Sequence, residues 1–247
     1  MEIRKLQKIK GGSFTLSIPK KWVEKKGLQS SHQIVITEEE DGSLSLRPIT
    51  PLQGYTPTAT ISLEELPDLK AVEYKVATYY IQGAGQIDVV SKDIITAETK
   101  RRIKLLRLSL PGVEVSDERS NRISFQVLID PSAFRLESLL NRTSTFSTDL
   151  QRDAVASLTN WNFPLAREVI ERRGEALRHY RLTIRQVALA SSSRTIAREI
   201  GVRSCQECVT FALMARDLSR LVYHCSQIAR HVLSLKQQRN IDQAILT

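Results

Sequence analysis

Twelve residues near the amino terminus carry the clearest structural signal in the chain: Gly11-Gly12-Ser13-Phe14-Thr15-Leu16-Ser17-Ile18-Pro19-Lys20-Lys21-Trp22. The two glycines predict a turn, because glycine adopts positive φ angles without strain. Residues 14–18 alternate between apolar and polar side chains, which is the period of a β-strand. Pro19 predicts the start of a short helix and Gly27 its end, since proline favours the first turn of a helix and glycine the residue that follows it.

The same pattern extends over residues 1–50, which predict two strands, a short helix and two further strands. A β-rich stretch at 33–37 is followed by Asp41-Gly42, which is typical of a hairpin turn. Fifty residues of short strands bury too little apolar surface to be stable alone, and apolar edge strands aggregate unless they are paired. We therefore expect a homodimer in which two chains share one sheet.

The whole chain predicts an α+β protein with three domains, at 1–50, 58–130 and 131–247. Residues 48–63 contain three prolines and a glycine and predict a linker. The middle domain is a mixed α/β segment, with elements predicted at 66–81, 86–90, 96–110, 113–115 and 123–128. The last domain predicts three long helices in an antiparallel bundle. A heptad-like apolar pattern marks the third of them, at Phe211, Met214, Leu218, Leu221, Cys225, Ile228, Val232 and Leu235.

The net charge of +9 is unevenly distributed along the chain. Residues 1–26 hold eight Lys or Arg against two acidic residues, a local charge of +6, whereas residues 51–130 hold ten against eleven, a charge of −1. Residues 131–247 come to +7, almost entirely through arginine. A dense cationic patch beside a neutral segment favours a polyanionic partner such as DNA, and a merely solvated basic surface is the alternative.

Composition also indicates the compartment. No run of about 18 apolar residues is present, so we expect no membrane insertion. The first residues are charged and lack the apolar core of a signal peptide. Three cysteines are too few for a disulfide framework and fit a reducing environment. These features together predict a cytoplasmic protein.

The amino-terminal residues resemble the AbrB/SpoVT family of swapped-hairpin DNA-binding domains. The likeness is carried by Ile3-Arg4-Lys5-Leu6, Gly11-Gly12, Leu16-Ser17-Ile18-Pro19-Lys20, Gly27-Leu28 and Ile34-Val35-Ile36. The run from Gly11 to Trp22 is similar to the variant found in archaeal regulators, where this domain precedes a PhoU-like helical domain, and residues 131–247 resemble that helical domain. The resemblance implies a homodimer that binds double-stranded DNA and regulates transcription, with a link to phosphate uptake.

The resemblance also implies which residues contact DNA. Arg4 and Lys5 match the paired basic residues on the first strand of the family. Five lysines would surround them, namely Lys8, Lys10, Lys20, Lys21 and Lys25. Val23 and Glu24 stand where many members place two arginines, which shifts the expected DNA face towards the lysines at the start of the helix. Arg4 can make bidentate contacts, whereas each lysine acts as a point charge.

PhoU-like domains commonly carry a metal cluster held by acidic residues on neighbouring helices. In this chain Arg173 and Leu177, in the second long helix, occupy positions where the resemblance implies carboxylates, and Ser219 and Tyr223 do so in the third. A hard cation needs anionic oxygen ligands. We therefore expect neither a metal nor another cofactor.

Catalytic motifs are scarce. Cys205 and Cys208 form a CxxC pair, which is compatible with a redox pair or half of a zinc site, although two structural thiols at the start of a helix are the simpler interpretation. His224 lies 16 residues beyond Cys208, about 24 Å along a continuous helix, too far to complete that site. The sequence lacks a phosphate loop, a dinucleotide-binding glycine pattern and a nucleophile elbow. We expect no enzymatic activity.

Two functions remain open at this point. The first is a transcriptional regulator in which two amino-terminal domains form one basic surface, while the helical domain dimerises or binds a regulator. The second is a protein-binding adaptor, in which the helical bundle docks on a protein partner and the amino-terminal domain serves only for dimerisation. Loss of duplex affinity on substitution of Arg4, Lys20 and Lys21 distinguishes the first from the second.

Overall fold

The computed structural model describes residues 3–9, 11–38, 42–48 and 57–245. The chain divides into two compact units, unit 1 at Met1–Tyr55 and unit 2 at Thr56–Thr247. Small strands lie in the amino-terminal unit and long helices in the carboxyl-terminal region, which confirms the α+β class. Among the described residues, no helix combines the length and the apolar character needed to cross a membrane.

Unit 1 consists of two antiparallel hairpins separated by a short helix. Its elements are β1 (Gln7–Lys8), β2 (Phe14–Thr15), α1 (Lys20–Lys25), β3 (Ile34–Glu38) and β4 (Leu44–Pro48). Gly11 and Gly12 form the first turn with φ angles of +118° and +95°, and Gly27 follows α1 with φ +60°. These three positions require glycine, because a Cβ is strained at such angles. The predicted order of strands and helix and the Gly11-Gly12 turn are therefore confirmed, whereas Asp41 of the predicted Asp41-Gly42 turn lies outside the described residues.

Unit 2 begins with a four-stranded mixed sheet. Its strands are β5 (Thr58–Ser62), β6 (Gln86–Val90), β7 (Val113–Arg119) and β8 (Arg122–Val127), in the spatial order β5-β6-β8-β7. β5 and β6 are parallel and are connected through helix α2 (Leu69–Ile81), whereas the other neighbours are antiparallel. Helix α3 (Ala97–Leu105) and a 3₁₀ turn at Leu106–Ser109 lead from β6 to β7.

Several boundaries in this region differ from the prediction; β7, for instance, runs to Arg119 instead of ending at residue 115. Residues 58–62 form β5, although the linker was expected to reach 63, because this Thr-Ala-Thr-Ile-Ser segment alternates polar and apolar side chains and its backbone pairs with β6. α2 begins at Leu69 instead of residue 66, since the Asp68 carboxylate caps it by accepting from the Ala71 amide at 2.7 Å. α3 is capped by Thr96 as predicted and ends at Leu105, five residues early, where the chain tightens into the 3₁₀ turn.

The sheet is apolar on one face and polar on the other. The apolar face packs under the buried side of α2, with Ile61, Ile87, Val89, Ile123, Phe125, Val72, Val76 and Tyr80 in one cluster. On the polar face, Arg122 donates to the buried carboxylate of Asp88 at 2.6 Å. Burial acts to raise the pKa of Asp88, but hydrogen bonds from Ser124, Arg122 and Gln86 outweigh it and hold the pKa below its usual value.

The rest of unit 2 is helical. It contains α4 (Leu136–Thr159), α5 (Phe163–Ser192), the short α6 (Arg194–Glu199) and α7 (Cys205–Ile245). α4, α5 and α7 contact one another in pairs around a core made of Leu150, Ala154, Ala166, Val169, Ala176, Val222, Cys225, Ala229 and Val232. α6 was not predicted; it is a turn and a half of helix between two long ones, with Ser193 as its cap.

The apolar pattern predicted for α7 is partly wrong. Met214 and Leu235 are 49% and 45% exposed, whereas Ala215 and Ala229, which the pattern omitted, are buried. Alanine allows the neighbouring helices to approach closely, so the side of α7 that packs contains small residues as well as large ones. Sequence periodicity located the helix correctly but placed its buried face a fraction of a turn away.

A row of arginines on α5 joins the helical region to the sheet region. Arg178 and Arg181 donate to the Leu108 and Ser109 carbonyls, at 2.7 and 3.1 Å. Arg185 donates to carbonyls at the carboxyl end of α2. The Tyr80, Leu108 and Ser109 carbonyls lie at helix ends, where the helix dipole favours a cation. The Ala84 carbonyl belongs to the loop that follows α2. The division of unit 2 into domains at 58–130 and 131–247 stays a prediction.

Candidate nucleic-acid interface

The structure describes six of the seven basic residues predicted to contact DNA. Arg4 and Lys5 precede β1, Lys8 lies in β1, and the helix α1 carries Lys20, Lys21 and Lys25. All six are exposed. Lys10 lies outside the described residues. Exposure is what contact with a phosphate backbone requires, and the assignment of these residues to DNA stays a prediction.

The helix α1 presents one charged side and one packed side. Trp22 and Val23 are half-buried, whereas the lysines at 20, 21 and 25 are exposed. The Lys20 ammonium lies 3.7 Å from the Glu24 carboxylate, with both side chains largely exposed. Such a pair stabilises the helix little, but the carboxylate lowers the positive potential of this side. Glu24 is one of the two positions where the resemblance to AbrB/SpoVT domains implies arginine.

The register of the first hairpin assigns its side chains to two faces. Lys8 pairs with Phe14, and Gln7 pairs with Thr15. Opposite residues of an antiparallel pair point to the same side, and successive residues alternate. Lys8 therefore shares a face with Phe14, and Thr15 lies on the opposite face with Gln7.

None of the residues that the structure describes in unit 1 is buried. Several of its large apolar side chains are more than half exposed, at Ile3, Leu6, Phe14, Leu16, Ile36 and Leu44. In the second hairpin, Ile36 lies opposite Leu46 and Glu38 opposite Leu44, so the apolar side chains share one face. An apolar face of this kind on a two-stranded hairpin is unstable in water, because a hairpin has no second layer to pack on it. The described residues of unit 1 leave this face uncovered.

The four positions where the resemblance implies metal ligands lie together in the structure. Arg173 and Leu177 on α5, with Ser219 and Tyr223 on α7, line one cavity of about 160 Å³. The part of the chain that the structure describes contains no group of three or more His, Cys, Asp or Glu placed to hold a metal ion. The absence of a bound metal in the protein stays a prediction. Sequence reasoning missed Arg220, which also lines the cavity and adjoins Ser219 in the chain.

No family model matches this chain, and comparison with curated proteins and with solved structures found no match. The resemblances to AbrB/SpoVT and PhoU-like domains therefore rest on the residues quoted above. The exposed lysines and the uncovered apolar hairpins of unit 1 are the features from which a function can be argued.

Proposed function

We propose that this protein is a homodimeric transcriptional regulator whose amino-terminal unit binds double-stranded DNA. One observation carries the proposal: unit 1 combines six exposed basic side chains with apolar hairpin faces that its own described residues leave uncovered. A second copy is the simplest cover, because a twofold axis brings the same face of each chain together. The dimer then joins two sets of cations on one surface, where neutralisation of phosphates supplies affinity.

The resemblance supports the same proposal. A swapped-hairpin dimer of the AbrB/SpoVT type would pair the hairpins of one chain with those of the other. A PhoU-like helical domain at 131–247 would bind the regulator or effector. Under this proposal the protein acts in the cytoplasm, and the process it regulates is phosphate uptake.

Duplex binding is tested by the salt dependence of affinity, measured by fluorescence anisotropy with labelled DNA. If the dimer neutralises about six to ten phosphates, log K falls against log salt with a slope of about −5 to −9. The double variant Lys20→Ala/Lys21→Ala removes four lysines from the dimer, so the slope should become shallower by up to about 3.6. Arg4→Ala should weaken binding further, since an arginine can contact two acceptors at once.

A matched control is Lys92→Ala, which removes an exposed lysine of unit 2. It should leave both the affinity and the slope unchanged. The regulator proposal fails if Lys20→Ala/Lys21→Ala and Arg4→Ala bind duplex DNA as well as the unaltered chain at moderate salt.

Dimerisation through unit 1 is tested with two neighbouring substitutions on β2. Phe14→Asp places a negative charge on the face that carries Phe14 and Lys8, whereas Thr15→Asp places it on the opposite face, beside Gln7. Sedimentation equilibrium should show a monomer or a much weaker dimer for Phe14→Asp and an intact dimer for Thr15→Asp. Equal masses for the two variants would contradict dimerisation through this face.

Exposed apolar side chains on α7 favour a second candidate, the protein-binding adaptor. Val209, Leu213 and Met214 are 61%, 46% and 49% exposed and lie close together along one helix. Patches of this kind mark interaction sites. Capture of partners from nuclease-treated lysate separates the two candidates: a partner that survives nuclease, together with no binding to duplex DNA, supports the adaptor.

A further inference from the structure

The cavity between α5 and α7 has a strongly basic rim. Arg173 comes from α5, and Ser219, Arg220 and Tyr223 come from α7. Ser219 and Tyr223 are four residues apart, so they lie on the same side of the helix. The guanidinium carbon of Arg173 lies 5.5 Å from the centre of the Tyr223 ring. A guanidinium at this distance is attracted to the ring, and it carries five N–H donors that can bind an acceptor.

Neither Arg173 nor Arg220 has an acidic partner within 4.0 Å among the described residues. Their neighbours in the chain differ in this respect. Arg172 donates to Asp153 at 2.7 Å, and Arg216 pairs with Asp217 at 3.2 Å. The two arginines at the cavity are therefore cations whose charge the surrounding described side chains leave uncompensated.

The volume of the cavity and its apolar lining residues limit which ligands it can bind. Its volume is about 160 Å³, and Ala176, Leu177 and Val222 form its apolar part. Pockets for drug-sized molecules measure about 300–1,000 Å³, whereas a water molecule occupies about 30 Å³. A small ion with a few waters fits. Beside apolar walls, charge–charge attraction is stronger than in open water.

We propose that this cavity is a binding site for a single tetrahedral oxyanion of the phosphate type. The two guanidinium groups supply the positive charge and several N–H donors, and guanidinium geometry matches two oxygens of such an ion. The Ser219 and Tyr223 hydroxyls donate to its oxygens or accept from its protonated oxygen. Where the resemblance implies carboxylates for a cation, this chain has arginine and hydroxyl groups for an anion.

Isothermal titration calorimetry of the full chain with inorganic phosphate tests the site, with sodium chloride holding the ionic strength constant. We expect one saturable site per chain. Arg173→Gln and Arg220→Gln each remove a charge and should weaken binding by about tenfold or more. Tyr223→Phe keeps the ring that Arg173 contacts and removes only the hydroxyl, so the loss should be smaller, about three- to tenfold.

Arg230→Gln is the matched control, because Arg230 is an exposed arginine of the same helix outside the cavity. Its affinity for phosphate should equal that of the unaltered chain. Circular dichroism without phosphate should be unchanged in all four variants, and the unfolding midpoint should fall slightly only in Arg173→Gln, which loses its contact with the Tyr223 ring. Absence of saturable binding up to about 10 mM phosphate, or equal affinity in the cavity variants and the control, overturns the proposal.

A phosphate group of DNA offers the same chemistry, and the same variants distinguish the two sources. If free phosphate does not bind while Arg173→Gln and Arg220→Gln weaken duplex binding, the cavity contacts DNA and the small-anion site is refuted. The site is independent of the proposed function: Lys20→Ala/Lys21→Ala should leave phosphate binding intact. Failure of the regulator proposal and failure of the anion site are thus seen in different variants.

Discussion

Replacing Arg185 by methionine measures how strongly the helical region holds the sheet region of unit 2. Arg185 is 4% exposed, and its Nη1 donates to the carbonyl oxygens of Tyr80 and Ala84 at 2.5 and 2.9 Å. Its guanidinium carbon lies 4.9 Å from the centre of the Tyr80 ring. Methionine is a flexible, apolar side chain that fills irregular space, so the substitution removes the charge and the donors with little change in packing.

The expected change in the free energy of unfolding is the difference between the favourable contacts of Arg185 and the cost of burying its charge. Two hydrogen bonds from a charged donor contribute about 1.5–3 kcal/mol each, and a desolvated cation–π contact adds about 2 kcal/mol. Against this, a buried guanidinium loses its hydration at a cost of several kcal/mol. Burial accordingly lowers the pKa of Arg185, and its Nε has no hydrogen-bond partner among the described residues. We expect Arg185→Met to lower the free energy of unfolding by about 2–4 kcal/mol.

Urea unfolding followed by circular dichroism measures this change. Arg185→Lys keeps the positive charge but not the planar guanidinium group, so it should lower the free energy of unfolding by about half as much. Arg178→Met is the control: Arg178 is exposed and donates to one carbonyl, and its replacement should cost less than about 1 kcal/mol. If Arg185→Met proves as stable as the unaltered chain, desolvation outweighs the contacts and our account of this junction is refuted.

Three further predictions concern other sites. Burial raises the pKa of Tyr80 from 10.0 to about 12, so the phenol ionises more readily in the unfolded chain and the free energy of unfolding falls as the pH rises from 10 to 12. Tyr80→Phe should remove this part of the pH dependence, up to about 3 kcal/mol. Glu24→Gln removes the acid beside the α1 lysines and should raise duplex affinity about two- to threefold; unchanged anisotropy titrations would place α1 away from DNA. Gly112 has φ +68°, and a Cβ there would lie 2.5 Å from the Ile129 Cβ, so Gly112→Ala should cost about 2–4 kcal/mol. Gly174 lies in helix α5 with open space around it, so Gly174→Ala should instead be neutral or stabilising. Thermal unfolding of the two variants measures both effects.

Much of the secondary structure follows from local signals. The Gly11-Gly12 turn, strand β6 and the Thr96 cap are where the sequence predicts them, because each depends on backbone preferences or hydrogen bonds within a few residues. Strand β5 was not predicted, because its five residues follow a proline-rich stretch that predicts a linker. They form a strand because β6, which is distant in the chain, pairs with them. The buried face of α7 was predicted wrongly because the apolar pattern counted only large side chains. Alanines such as Ala215 and Ala229 are also buried where the helices pack closely.

The amino-acid sequence on its own established the α+β class, the positions of most elements and the concentration of positive charge at the amino terminus. Only the tertiary structure decided the roles of the arginines on α5. Arg185 is buried against carbonyls at and just after the end of α2, whereas Arg173, twelve residues earlier on the same helix, borders a cavity and has no acidic partner within 4.0 Å among the described residues. Their local sequences do not distinguish them, because pairing and burial depend on groups that are distant in the chain and become neighbours only when the helices pack.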